Sequence, residues 1–351
     1  MEPVTTLSSD SAECVFHVEG NKIGYIATLN SYSKILGKPH LQHKLTYENT
    51  SKGIGRIFVS YNISKISNNE PEKEKLSWFC GTGFCVKSNL VMTASHVLQY
   101  PVDSKASKEI KEIQENLRYD KIYIYFGTNA TINDEINLSE IDPKSMYELE
   151  SCGNFSYPKY QLISTGQNGQ KYAWHTLNDL QVLRFKGTPP AGIEILLPMI
   201  PTNDAEHDSH YVMGYPGHVE LDHFVLDYKG ALDQHLTKLY DDLVQDSASF
   251  QKKTVYVGQV VSFDNVLSHQ CPTLKGTSGG ILANGNRLHE KKFIGVHLGG
   301  DIEAGNIAIS VTHQLFWDVY RTYVLDDQFI QNNLEDLQPY LNFCQKSYPA
   351  K

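Results

Sequence analysis

Gly276-Thr277-Ser278-Gly279-Gly280 constrains this chain more than any other stretch. Glycines on both sides of a hydroxyl let the backbone amides of Gly276 and Ser278 turn toward one point, a conformation that larger side chains resist. The residues after Gly280 limit the fold. Ile281-Leu282-Ala283-Asn284 is a short apolar run, Asn284-Gly285 is a turn signal, and Lys292-Phe293-Ile294-Gly295-Val296-His297 is a second run of strand character. The serine therefore leads into β structure, not into a helix. Far upstream, the apolar strand Leu90-Val91-Met92 is followed by Thr93-Ala94-Ser95-His96. A serine hydroxyl is a weak nucleophile until a base takes its proton, and a set of amides must then hold the oxyanion. These two segments contain the residue types for both tasks.

The glycine run also satisfies G-x-S-x-G, the nucleophile elbow of α/β hydrolases, in which the chain order is Ser, acid, His. That elbow leads straight into a helix. A strand and a turn come after Ser278 here, and the histidine comes first, so a serine esterase is the weaker reading. His96 ahead of Ser278 resembles the chymotrypsin-like serine proteases, with chain order His, Asp, Ser. Trp78-Phe79-Cys80-Gly81-Thr82-Gly83-Phe84 resembles the G-x-G-F strand that packs behind the histidine in that family. Asn178-Asp179-Leu180-Gln181-Val182-Leu183 is similar to its Asp-plus-alternating-apolar strand, which makes Asp179 the third member. Asp103 and Asp120 are competitors, and a solvated loop carboxylate is the better reading of both. The resemblance implies an all-β fold: two six-stranded antiparallel Greek-key barrels, a C-terminal helix and terminal extensions. It also implies His96 as general base, Asp179 as its orienting acid, Ser278 as nucleophile and the amides of Gly276 and Ser278 as oxyanion hole. The implied reaction is peptide-bond hydrolysis through an acyl-enzyme.

In that family the specificity pocket lies between the strand ahead of the nucleophile and a Gly-x-x-x-x-Gly strand, here Gly295-Val296-His297-Leu298-Gly299-Gly300. Trypsins carry an Asp where this chain has Pro272, so a basic substrate side chain lacks a counter-charge. Thr273 and His297 resemble the pocket pair of glutamyl endopeptidases and of picornavirus-type cysteine proteases, which cut after Glu and Gln. Gly214-Tyr215-Pro216-Gly217 adds to the likeness to the bacterial glutamyl enzymes. A threonine hydroxyl and an imidazole N–H both donate to one side-chain carbonyl or carboxylate. A charged imidazole favours Glu, and a neutral one tolerates Gln. Thr273, His297 and Gly299 are thus the expected substrate-binding residues, against the competing reading of His297 as a core histidine. Thr277 stands where trypsins carry the Asp that pairs with a newly cut N-terminus, so activation by cleavage is not expected. Leu298 replaces a serine that often bonds the triad Asp, and Ser278 replaces the cysteine of the viral relatives.

Composition narrows the alternatives. A formal net charge of −9 leaves no electrostatic footprint for nucleic acid. No stretch approaches the roughly 20 apolar residues of a membrane span. The first residues lack the basic start and apolar run of a secretory signal, so the expectation is a cytoplasmic protein or export by another route. Six cysteines are scattered, and Val97 occupies the position after the histidine where secreted animal trypsins place a bonded cysteine. Free thiols are expected. Cys80 and Cys85 lack the second pair that zinc would want. Asp204, His207, Asp208, His210, His218, Asp222 and His223 lack a fixed ligand spacing and read as a solvated loop. No metal or cofactor is expected, and the partner is a protein or peptide substrate. A non-catalytic binding module on the same barrels remains the alternative of another class, opposed by the joint presence of His96, Asp179 and Ser278.

Residues 1–50 read as an N-terminal extension and 51–190 as the first barrel, with an insertion at 103–158 whose stretch from 135 onward is acidic and irregular. Residues 105–117 carry helical spacing, and 160–185 complete the first barrel. The second barrel spans 191–311, and 312–351 are the closing helix and a helical tail.

Overall fold

In the computed structural model the described residues are 14–19, 22–28, 44–63, 76–102, 106–126, 146–153, 158–165, 169–202, 210–217, 253–271, 273–285, 290–301 and 305–349. The hairpin β1 (Cys14–Glu19) and β2 (Lys22–Thr28) precedes α1 (Lys44–Ser51). Next come β3 (Ile54–Asn62), β4 (Leu76–Lys87) and β5 (Leu90–Thr93), which runs into a 3-10 turn (Ser95–Leu98). After α2 (Lys108–Glu115) the chain forms β6 (Tyr119–Tyr125), β7 (Met146–Ser151), β8 (Gln161–Thr165), β9 (Lys171–Leu177) and β10 (Gln181–Phe185). Six of these close a barrel in the order β10-β5-β4-β3-β6-β7, with β10 pairing back onto β7.

The short β11 (Leu197–Pro198) crosses to the second half. There the chain forms β12 (His210–Gly214), β13 (Lys253–Gly258), β14 (Val260–Ser262), β15 (Val266–His269), β16 (Ile281–Asn284), β17 (Lys292–Phe293), β18 (Gly295–Asp301) and β19 (Gly305–Ser310). The second barrel-like sheet has the order β14-β15-β19-β18-β16-β12-β13-β1-β2. The expected double barrel is thus present, and its second sheet carries more than six strands. Seven come from the 210–310 region, and the N-terminal hairpin adds two through antiparallel pairing of β1 with β13. Helices α3 (Gln314–Tyr323), α4 (Asp327–Asn332) and α5 (Leu334–Ser347) close the chain.

The structure corrects two details of the sequence reading and adds two. The acidic stretch is not wholly irregular, because β7 lies within it and closes the first barrel. Its carboxylates alternate with apolar residues: Leu149 is buried, while Glu148 and Glu150 project outward to Lys186 and Arg184 at 2.5 and 2.6 Å. Of residues 160–185 only β10 joins the barrel. β8 and β9 form a separate two-stranded ribbon that leans on the second sheet, where Ser268 donates to the Thr165 carbonyl (2.7 Å) and Thr165 to Asp264 (2.7 Å). The supposed extension up to residue 50 contains α1, whose buried Tyr47 meets Tyr211 of β12 edge-on at 4.7 Å. The helical tail is part of the core: Leu337, Tyr340, Leu341 and Cys344 are buried, and the Tyr340 hydroxyl donates to the Val311 carbonyl at 3.0 Å.

Among the described residues Cys80, Cys85, Cys152, Cys271 and Cys344 are free thiols. No described helix is long and apolar enough to cross a membrane.

Candidate active site

β4 and β5 of the first barrel face the 275–280 loop of the second. A side chain on Gly279 would bring its Cβ within 2.1 Å of the Thr82 carbonyl and 2.3 Å of the Thr93 hydroxyl, so only glycine fits there. The same Cβ would lie 3.1 Å from the Ala94 amide, two residues before His96. Close glycine packing therefore brings the serine loop beside the histidine turn.

His96 sits in the 3-10 turn after β5. Asp179, only 3% exposed, reaches it twice: Oδ2 lies 2.8 Å from His96 Nδ1, and Oδ1 accepts the His96 backbone N–H at 2.9 Å. Asp179 comes directly after Asn178, which takes a left-handed φ of 52° and is braced by Ser95 Oγ donating to its carbonyl at 3.2 Å. The structure so supplies by the His96 amide what Leu298 cannot. Burial disfavours the charged imidazole, but the hydrogen bond to Asp179 and the charge of that carboxylate together outweigh it, and the His96 pKa stands above its ordinary value. Asp120 is exposed on β6, and Asp103 lies outside the described residues.

Ser278 donates its hydroxyl to the Leu298 carbonyl at 2.9 Å, so its proton is not directed at His96. Gly299, in a bulge of β18, would place a Cβ 3.9 Å from Ser278 Oγ. In the glycine run, Thr277 N–H donates to Leu274 (3.2 Å), Gly279 N–H to His297 (2.8 Å) and Gly280 N–H to Thr277 (2.9 Å). Among the described residues no such internal acceptor is bonded by the amides of Gly276 or Ser278. Gly276 holds a φ of 95°, and a Cβ there would lie 2.3 Å from the Gly217 nitrogen.

His297 is the central residue of the expected pocket. It is buried at 2% exposure, and its Nδ1 lies 3.2 Å from Nε2 of His269, a residue the sequence reading missed. His269 Nδ1 accepts from the Cys271 amide at 3.3 Å. A nitrogen that accepts carries no proton, so neutral His269 is protonated on Nε2, which faces His297 Nδ1 and the Ile307 carbonyl. Burial lowers the His297 pKa to about 3, with a smaller push from His96 and a counter-pull from the Ile307 carbonyl. Burial likewise holds His269 well below its ordinary value. Both imidazoles are neutral at neutral pH. Thr273 is half-buried, with its amide bonded to the Cys271 carbonyl at 2.8 Å. Pro272 lies outside the described residues, as do Asp204, His207, Asp208, His218, Asp222 and His223. Among the described residues no group of His, Cys, Asp and Glu is arranged to hold a metal ion.

Residues 81–296 match the trypsin-like peptidase domain, more than half of the chain. The chain belongs to the trypsin-like peptidase family. Its substrates are accordingly proteins or peptides. No curated protein matches this trypsin-like peptidase in sequence. Among solved structures it is similar to the active form of the Rv3671c protease from M. tuberculosis, with 16% identity, 78% of this chain and 82% of that chain covered, and a TM-score of 0.38. It is also similar to Deg5 (14% identity, 82% and 94% covered, TM-score 0.39). A third is a Glu endopeptidase in complex with MPD (13% identity, 76% and 88% covered, TM-score 0.41). Likenesses this distant add nothing about residues, so the assignment rests on the domain match.

Proposed function

We propose that this trypsin-like peptidase is a serine endopeptidase that cuts after Gln in preference to Glu. The observation that carries the mechanism is the double hold of Asp179 on His96, at Nδ1 and at the backbone amide. Held so, the neutral imidazole presents Nε2 as a base. Ser278 turns its hydroxyl from the Leu298 carbonyl to His96, gives up the proton and attacks the scissile carbonyl. The oxyanion is received by the unengaged amides of Gly276 and Ser278. His96, now charged and favoured by Asp179, returns the proton to the leaving amine. Water then hydrolyses the acyl-enzyme by the same two groups in reverse.

The preference rests on the neutral pair His269–His297. With its proton on Nε2, His297 donates to a side-chain carbonyl, and the half-buried Thr273 hydroxyl is a second donor. A carboxylate in the same place would be desolvated beside two neutral imidazoles without a counter-charge, which costs more than seating an amide. Gly299 leaves room for the substrate beside Ser278.

A peptide-library digest with the wild-type chain and Ser278→Ala tests this reading. The expected result is cleavage after Gln above Glu by the wild type, and none by the folded variant. Equal cleavage by Ser278→Ala contradicts the mechanism, and a dominant preference for Lys, Arg or large aromatic residues contradicts the pocket.

A further inference from the structure

Thr82 belongs to the first barrel, is fully buried, and takes no part in the chemistry described above. Four hydrogen bonds nevertheless converge on it, three of them from or to the second sheet. Its amide donates to the Ser278 carbonyl at 2.9 Å. Its hydroxyl donates to the Gly276 carbonyl at 3.3 Å and accepts the Tyr215 amide at 2.8 Å. Its own carbonyl accepts the Thr93 hydroxyl at 2.7 Å, which fixes it within the sheet that also leads to His96. A Cβ on Gly214 would lie 2.8 Å from the Thr82 hydroxyl, so the second sheet is shaped to admit it.

The consequence concerns the direction of one N–H. In a trans peptide the carbonyl and the amide hydrogen point opposite ways. The Lys275 carbonyl accepts from the Gly217 amide at 2.7 Å, which turns the Gly276 N–H away from Gly217. On the other side of Gly276, its carbonyl is taken by the Thr82 hydroxyl. Both peptides flanking Gly276 are thus held, and the segment that holds the first, residues 215–217, is tied by the Tyr215 amide to the same hydroxyl. One oxygen atom links the two strips of backbone that set the Gly276 amide. A glycine at positive φ has no side-chain sterics to keep it in place, so the restraint must come from such bonds.

We infer that Thr82 is a positioning residue for the oxyanion hole: its hydroxyl, supplied from the opposite barrel, locks the Gly276 amide in the orientation that receives the oxyanion. This deepens the serine-endopeptidase reading and rests on it. A threonine-to-valine change keeps the shape and removes only the hydroxyl, and with it the bonds to the Gly276 carbonyl and the Tyr215 amide. Because the oxyanion exists only in the transition state, the loss belongs in kcat and not in KM.

The test compares the wild type with Thr82→Val, Thr82→Ala and Thr82→Ser on a glutamine-containing peptide. A peptide aldehyde, whose adduct carries the oxyanion, and the corresponding product acid are measured as inhibitors. Direct loss of an oxyanion donor costs about 10²- to 10³-fold in kcat, so its misplacement in Thr82→Val and Thr82→Ala should cost about 10- to 100-fold. KM and product-acid inhibition should stay within about twofold, aldehyde inhibition should weaken with kcat, and Thr82→Ser should recover to within about threefold of wild type. If Thr82→Val fails to fold, the Ala and Ser pair decides. Wild-type kcat in Thr82→Val, a Thr82→Ser as slow as Thr82→Val, or a loss carried by KM overturns the inference. The same preparations are labelled with a fluorophosphonate. A wild type that does not label at Ser278 removes the serine-endopeptidase reading and this inference with it. A labelled wild type with an unaffected Thr82→Val removes the inference alone.

Discussion

At the scale of single residues, the His96–Asp179 pair and the buried His269–His297 pair are set to opposite protonation tendencies. Asp179 raises the first imidazole against the pull of burial, whereas among the described residues nothing of opposite charge relieves the second. The base must be neutral to act, so activity should fall as the pH drops through the His96 pKa, which lies above the ordinary value. Asp179→Asn should move that limb of the kcat/KM profile to lower pH and reduce kcat by roughly 10⁴-fold, by favouring the wrong tautomer. An unshifted limb would place the titration elsewhere. His297→Ala should lose cleavage after Gln by roughly ten- to a hundredfold, the worth of a buried hydrogen bond, while fluorophosphonate labelling of Ser278 persists. Equal loss of both activities would make His297 a core residue only. His96, Asp179 and Ser278 were legible as candidates because each stands in a short local pattern. His269 and Thr82 were not, since their importance arises from the register of strands distant in sequence. The only local trace of Thr82 is the pair of glycines flanking it.

At the scale of elements, local reading of short motifs revealed β4 and β5, of which β5 is buried throughout and β4 along half of its length. It concealed β7, whose glutamates looked like loop residues until Arg184 and Lys186 were found opposite them. Such exposed pairs add little stability, but they satisfy the charges that an outward strand face carries. The ribbon β8–β9 was read as barrel because its β-propensity says nothing about which sheet it joins. The role of the tail was likewise illegible, because a helix with an apolar face does not name its partner. Burial of Leu337 against the core now predicts that Leu337→Ala lowers unfolding free energy by about 2–5 kcal/mol. Denaturant unfolding checks this, and a change below about 0.5 kcal/mol would mean that α5 is a surface appendage.

At the scale of the whole molecule, neutral burial of several histidines ties stability to pH. His297 titrates near 3 and His313 near 4 when folded, both lowered by burial, while unfolded histidines bind protons near their ordinary pKa. Between those values the unfolded state binds more protons, so stability rises with pH there and is lost as pH falls from about 6.5 toward 4, by up to about 1.4 kcal/mol per unit per group. Chemical denaturation at pH 7 and pH 5 measures the slope, and equal stability at both would contradict neutral burial. Activation is a property of the same scale. Thr277 is buried with its hydroxyl on Tyr256 at 3.4 Å, leaving no carboxylate there for a new N-terminus to neutralise. The chain should therefore be active before any cleavage, as mass spectrometry of an active preparation would show. Strict dependence of activity on one cut would contradict this, provided the removed segment does not cover the cleft.

In the proposed mechanism Ser278 is the nucleophile activated by His96. Fluorophosphonate treatment of the folded wild type, followed by peptide mapping, tests it most directly. One phosphonylated residue is expected, Ser278, with labelling lost in His96→Ala. Modification of another residue, or undiminished labelling without His96, would contradict it.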